Sequence, residues 1–156
     1  MTSTLYLADT IATMNARNEV LTAGAVLVTN KSIAAIGSAA SLKSQYPGAT
    51  VVNLENSLLM PGLVNTHCHS GLLRGTAEGL PVWAWLQQYI DPMHRVIHAD
   101  EAALASRLCY AEALLSGTTT IVDMWRHMQG SAEAALHQGI RAVLVPYVAE
   151  HPDHDY

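Results

Sequence analysis

The stretch Pro61-Gly62-Leu63-Val64-Asn65-Thr66-His67-Cys68-His69 decides the fold. Pro61-Gly62 punctuates the chain, and Leu63-Val64 opens an apolar strand with two histidines at its C-terminal end. Strand side chains alternate faces, so His67 and His69 project from one face and Cys68 from the other. Two imidazoles one residue pair apart can bind a single cation, and neutral imidazole is the commonest metal ligand. With eight histidines in the chain, a bare His-x-His is an unsurprising coincidence. The longer pattern of Pro-Gly, apolar pair, Asn and His-x-His is what favours a ligand pair.

Downstream, the apolar period changes from two to near 3.6. Leu80 to Arg95 carries Trp83, Leu86, Tyr89 and Ile90 as a helical stripe. His98-Ala99-Asp100-Glu101 opens a second helix, with Asp100 as its N-cap. That helix runs through Ala103, Leu104, Leu108, Ala111 and Leu115 and stops at Gly117. Thr118 to Met124 is a buried strand, Ser131 to Gln138 a helix ended by Gly139, and Arg141 to Tyr147 the next strand. Strands over 63–69, 118–124 and 141–147 with helices between them predict a parallel sheet with right-handed crossovers.

Upstream, residues 3 to 37 read as short strands: Leu5 to Leu7, Ile11 to Met14, Ala25 to Val28 and Ser32 to Ile36. Turns fall at residues 15–19 and 29–31. Ser38 to Gly48 is a short amphipathic helix, Val51 to Leu54 a strand, and Asn56-Ser57 a turn. The chain is therefore α/β with two parts, a small β domain over 1–57 and a βα part over 58–156.

Composition excludes several functions. The chain has 156 residues, 50% of them hydrophobic and 13% charged, with a net charge of −5. That supplies one modest core, and the low charge suits a surface largely covered by more protein. A mildly acidic chain with no Lys/Arg cluster argues against nucleic acid. No apolar run reaches the roughly 18 residues of a membrane helix, and the N-terminus lacks the features of a signal peptide. Cys68 and Cys109 make no disulfide framework, so a reducing cytoplasm is expected. No Gly-rich phosphate loop follows a strand, which excludes a nucleotide-binding domain of that kind.

The stretch PGLVNTHCH over 61–69 resembles the strand that opens the barrel in the amidohydrolase superfamily. Leu72-Leu73-Arg74-Gly75, Trp85-Leu86 and SGTTTIVDM over 116–124 are similar to its cytosine-deaminase-like branch. That branch includes the chlorotriazine hydrolases and the adenosylhomocysteine/methylthioadenosine deaminases, and the resemblance covers nearly the whole chain. It implies a (β/α)8 TIM barrel with a small β-sandwich built from both chain ends. This chain would then hold the first three barrel strands, preceded by the N-terminal half of the sandwich. One divalent metal is implied, zinc or else iron, with His67 and His69 as its first two ligands. Histidines on strands five and six, an aspartate on strand eight and a proton-shuttling glutamate near strand five would complete the site. None of these falls among the residues shown, so no catalytic residue is expected within them. Three strands leave exposed edges, and such a barrel needs about 250 residues. A truncated or cleaved form, or one segment of a larger assembly, is the expectation. The expected partners are a C-terminal segment of the same protein and, once complete, further copies of itself.

The resemblance implies hydrolysis of an amino-substituted N-heteroaromatic ring by a metal-activated water, with a carboxylate relaying the proton to the departing amine. Trp85, Arg74 and His94 are the substrate-binding candidates. Trp85 either borders the pocket or belongs to the core, and Arg74 either contacts substrate or fixes its loop. Trp83 and Trp125 are read as packing residues, and Cys68 and Cys109 as core. Asp123 either orients a ligand histidine or caps the next loop. Members acting on adenosine-like nucleosides are similar in a Pro-x-Glu whose Glu binds ribose hydroxyls, where this chain has Pro92-Met93-His94. A carboxylate takes two hydrogen bonds from a vicinal diol and an imidazole fewer. That favours a free base, a pterin or a triazine-like ring, with an adenosine-type nucleoside as the alternative. The alternative of another class is an inactive piece that only pairs with a partner chain.

Overall fold

A computed structural model describes residues 2–72, 75 and 79–147. The chain divides into two compact units, Met1–Pro61 and Gly62–Tyr156.

In the first unit, β1 (Ser3–Ala12), β2 (Val20–Thr29), β3 (Ser32–Ser38) and β4 (Thr50–Leu59) form one sheet in the order β3-β2-β1-β4. β1 and β2 pair antiparallel, as do β2 and β3, and β1 and β4 pair parallel. The β2–β3 hairpin turns on Asn30 and Lys31, whose φ values of 50° and 72° are the two left-handed positions that match strand twist. Helix α1 (Ala39–Gln45) starts where the Ser38 hydroxyl accepts the Ser41 N–H at 3.2 Å. It drops Leu42 onto Leu5, Leu7, Ala25 and Leu27. Each of these buried leucines contributes roughly 1.5–3 kcal/mol. The turn expected at Asn56-Ser57 is instead a bulge inside β4. Ala8 pairs with Leu54 and Thr10 with Leu58, so extra β4 residues are absorbed where Asn56 takes φ 51°. The described residues of this unit form a single sheet, and a facing second sheet is not among them.

In the second unit, β5 (Leu63–Cys68), β6 (Thr118–Trp125) and β7 (Arg141–Pro146) lie in that order and are parallel throughout. The helices between them are α2 (Val82–Trp85), a π turn (Leu86–Ile90), α3 (Asp91–Val96), α4 (Ala99–Leu115) and α5 (Met128–Gln138). Helix α5 begins three residues before the expected start and ends at Gly139, whose φ of 77° only glycine adopts without strain. A core of Tyr110, Ile121, Ala134, Ala135 and Ile140 joins α4, β6 and α5. A second gathers Ile97, Ala102, Trp125 and Met128.

Three helix expectations are corrected. The run over 82–96 is not one regular helix: Asp91 N–H reaches back five residues to the Leu86 carbonyl, a π turn placed just before Pro92. Proline cannot donate to the fourth carbonyl before it and its ring crowds that carbonyl, which a widened turn relieves. Trp83, expected to be a packing residue, is 73% exposed. The N-cap of α4 is His98, not Asp100. Its backbone N–H is held by the Glu101 carboxylate at 2.8 Å, and Asp100 lies in the first turn, where acidic residues suit the helix dipole. On α4 the buried residues are Ala102, Ala105, Ser106 and Tyr110, while Leu104, Leu108 and Leu115 are exposed. Among the described residues, no helix is long and apolar enough to cross a membrane.

Candidate metal centre

His67 lies in β5 and His69 just beyond its end, at the carboxyl edge of the parallel sheet where βα folds carry their chemistry. The ladder to β6 slips here: Asn65 pairs with Ile121 but Cys68 with Asp123. Three residues of β5 thus span two of β6, a bulge that re-aims side chains. The His67 backbone N–H is accepted by the Asn65 side-chain oxygen at 3.1 Å. The two imidazoles meet edge to face, with centroids 4.6 Å apart at 89°.

His69 Nδ1 is 2.9 Å from the Met124 carbonyl oxygen. A carbonyl only accepts, so Nδ1 carries a proton, and in the neutral ring Nε2 is the nitrogen with the lone pair. This is the tautomer of a metal-ligating histidine whose other nitrogen is fixed by a backbone carbonyl. The donor set therefore fits a divalent metal as part of a coordination sphere. Among the described residues no three His, Cys, Asp or Glu side chains converge, and a catalytic zinc takes three protein ligands.

Behind the pair lies a buried polar chain. Asp123, 0% exposed, accepts the Ser70 N–H at 2.9 Å, the Ser70 hydroxyl at 2.5 Å and the Tyr110 hydroxyl at 2.5 Å. Ser70, Ser106 and Ser131 continue it by hydroxyl contacts of 2.7 and 2.8 Å. Burial first, and the bond to Asp123 second, push the Tyr110 phenol up. Asp123 thus neither bonds a ligand histidine nor caps the following loop; its partners are the residue after His69 and helix α4. Cys68 points to the helix side, with Sγ 3.6 Å from that of Cys109. That contact first, and burial second, raise the Cys68 thiol far above its usual range, in keeping with an unreactive core cysteine.

A cavity of about 170 Å³ is lined by His69, Trp85, Asp91, His94, Trp125 and Tyr147. His94, 7% exposed, stacks on Trp125 with centroids 4.3 Å apart and lies 5.3 Å from Tyr147. His69, Trp85 and His94 are thus brought together, while Arg74 lies outside the described residues. A larger open depression of about 740 Å³ also reaches His69, over Leu108, Glu112 and Leu115. Aromatic faces and a few polar groups line the smaller cavity. Trp125 is a packing residue as expected, 1% exposed. Sequence reasoning missed Ser70, Tyr110 and the Met124 carbonyl. The available signal was Ser106 and Tyr110 following Ala102 at steps of four on α4, polar groups on a line of small residues.

The amidohydrolase family matches residues 58–155, and an imidazolonepropionase-like composite domain of bacteria matches residues 24–49. A 5-methylthioadenosine/S-adenosylhomocysteine deaminase of Caldicellulosiruptor saccharolyticus is 39% identical, over 86% of this chain and 32% of the relative. A solved adenosine deaminase from Xanthomonas campestris, described with bound zinc, is 30% identical with a TM-score of 0.74, covering 91% of this chain and 33% of that one. A triazine hydrolase from Arthobacter aurescens superposes with a TM-score of 0.82 at 22% identity, over 94% of this chain and 36% of that one. That last likeness shows the fold alone. The chain spans about a third of the length of the curated relatives it matches.

Proposed function

The chain belongs to the amidohydrolase family, and on that premise we propose that the protein is a metal-dependent hydrolase that deaminates an amino-substituted N-heteroaromatic ring. The observation that carries the proposal is the histidine pair at the carboxyl end of β5, with His69 Nδ1 committed to the Met124 carbonyl. His67 and His69 would hold the metal, zinc in the first instance and iron as the alternative. When bound, the metal supplies the Lewis acidity that brings a water pKa toward about 7. Trp85, Trp125 and Tyr147 give the cavity flat apolar walls, suited to a heteroaromatic ring and to the exclusion of bulk water. His94 and Asp91, on the same wall, offer polar contacts to ring or exocyclic nitrogens. The remaining ligands and the proton-shuttling glutamate belong to residues other than those described.

The residues at 92–94 favour a free base, a pterin or a triazine-like ring over a nucleoside, because His94 stands where a diol-binding glutamate would. The second reading, an adenosine-type nucleoside, is favoured by relatives at 36–39% identity that are named 5-methylthioadenosine/S-adenosylhomocysteine deaminases. Ammonia release by the zinc-loaded intact protein should be measured with methylthioadenosine, adenosylhomocysteine and adenosine against guanine, cytosine, a pterin and an aminotriazine. Turnover confined to the nucleosides would reject the first reading, and no turnover of any would reject both. Replacing both His67 and His69 by Ala should strip stoichiometric metal by elemental analysis; full retention would refute the ligand assignment.

A further inference from the structure

We infer that Asp123 is a positioning residue for the metal ligand His69, acting through Ser70 and held in place by Tyr110, Ser106 and Ser131. The inference rests on the assignment of His67 and His69 as ligands.

Two consecutive residues of β6 grip two consecutive residues at the end of β5. The Met124 carbonyl takes the His69 ring proton at 2.9 Å, which fixes the tautomer and the ring plane. The Asp123 carboxylate takes both the backbone N–H and the hydroxyl of Ser70, which fixes the chain on the other side of His69. The ladder between β5 and β6 is irregular over these residues, so regular strand pairing does not hold His69 there. The carboxylate substitutes for it. One oxygen serves the Ser70 N–H, and the other serves two hydroxyls. Hydrogen bonds to a carboxylate are short and stronger than neutral ones.

The chain behind Asp123 belongs to the same device. Tyr110 and Ser106 sit on α4 and Ser131 on α5, all fully buried. They reach Asp123 and Ser70 by hydroxyls only. A buried network of this kind rigidifies when every member is satisfied. It ties the ligand's turn to two helices, and not only to the neighbouring strand. Asparagine at 123 would keep the shape but replace one accepting oxygen by a donor, facing hydroxyls and an N–H that already donate.

The test is zinc affinity by competition with a chromophoric chelator, measured on the intact protein, with Tm recorded for each variant. Asp123→Asn is expected to weaken zinc binding roughly 10- to 100-fold, the range for loss of a group that orients a ligand. Ile121→Val, a fully buried neighbour on β6 without a place in the network, is expected to lower Tm while leaving zinc affinity at the wild-type value. Unchanged affinity in a folded Asp123→Asn would overturn the inference, as would an equal loss in Ile121→Val. Where Asp123→Asn does not fold, Tyr110→Phe, which removes one donor to the same oxygen, decides by the same two criteria. Full zinc retention in the His67→Ala/His69→Ala protein would instead overturn the ligand assignment itself.

Discussion

Gly71→Ala should disrupt the turn after His69 through the indole beneath it. A methyl group at residue 71 would sit 2.0 Å from Trp125 Nε1 and 2.1 Å from Cδ1. Ordinary contact needs about 3.5 Å, so the ring would have to recede by roughly 1.5 Å. Its movement is opposed on most sides: Trp125 is 1% exposed, packs with Ile97, Ala102 and Met128, and stacks on His94, with open space only where it borders the cavity. Overpacking of a well-filled core costs about 1–3 kcal/mol, and a rigid ring closed in on several sides belongs at the upper end. A loss near 3 kcal/mol lowers Tm by roughly 6–12 °C for a chain of this size. The Leu72 N–H bonds the His69 carbonyl at 3.1 Å, so the strain also reaches His69, and with His69 as a proposed ligand zinc affinity should fall with Tm. The assay is differential scanning calorimetry with chelator competition, using Gly48→Ala as the control, since nothing lies within 4 Å of a methyl there. A Gly71→Ala protein as stable as that control would refute the placement of Trp125 under the turn.

Four other outcomes are expected. Trp85→Ala should raise KM several-fold with a smaller effect on kcat, because it removes a wall of the cavity and no group proposed to hold metal; an unchanged KM would take Trp85 out of the site. The Tyr110 phenol is raised by burial and by Asp123. Its neutral form therefore stabilises the fold fully below the ordinary phenol value of about 10, and that contribution drains as pH rises further, through the folded value. Urea midpoints should fall between about pH 10 and 11 in the wild type and less steeply in Tyr110→Phe; parallel profiles would contradict the burial of this hydroxyl. Iodoacetamide should label Cys68 slowly at pH 8, since its thiol is held protonated, and rapid labelling without unfolding would contradict its packing on Cys109. Residues 1 to 156 expressed alone should bind zinc weakly and release no ammonia, because among the described residues two imidazoles converge without a third donor, fewer ligands than a catalytic zinc needs; metal-dependent turnover by a monomer of these residues would overturn this.

What the sequence determined by itself was whatever depends on neighbours in the chain. The parallel strands over 63–68, 118–125 and 141–146 follow from apolar runs bounded by Pro61-Gly62, Gly117 and Gly139. Strand alternation led to the expectation that His67 and His69 share a face, and their rings do meet, with centroids 4.6 Å apart. Tertiary structure decided whatever depends on which face meets a partner. Helix α4 is rich in alanine and leucine on several sides, so its pattern does not choose a face. The side that is buried is the one where small residues let α4 approach and Tyr110 reaches Asp123. Asn56 signals a turn equally well when it sits in a bulge, and only pairing with β1 distinguishes the two. Asp123 could orient a histidine or cap a loop from its position in sequence alone. Its actual partners, Ser70 and Tyr110, are 53 and 13 residues away, and a hydrogen bond across such a separation exists only once the strands and helix have packed.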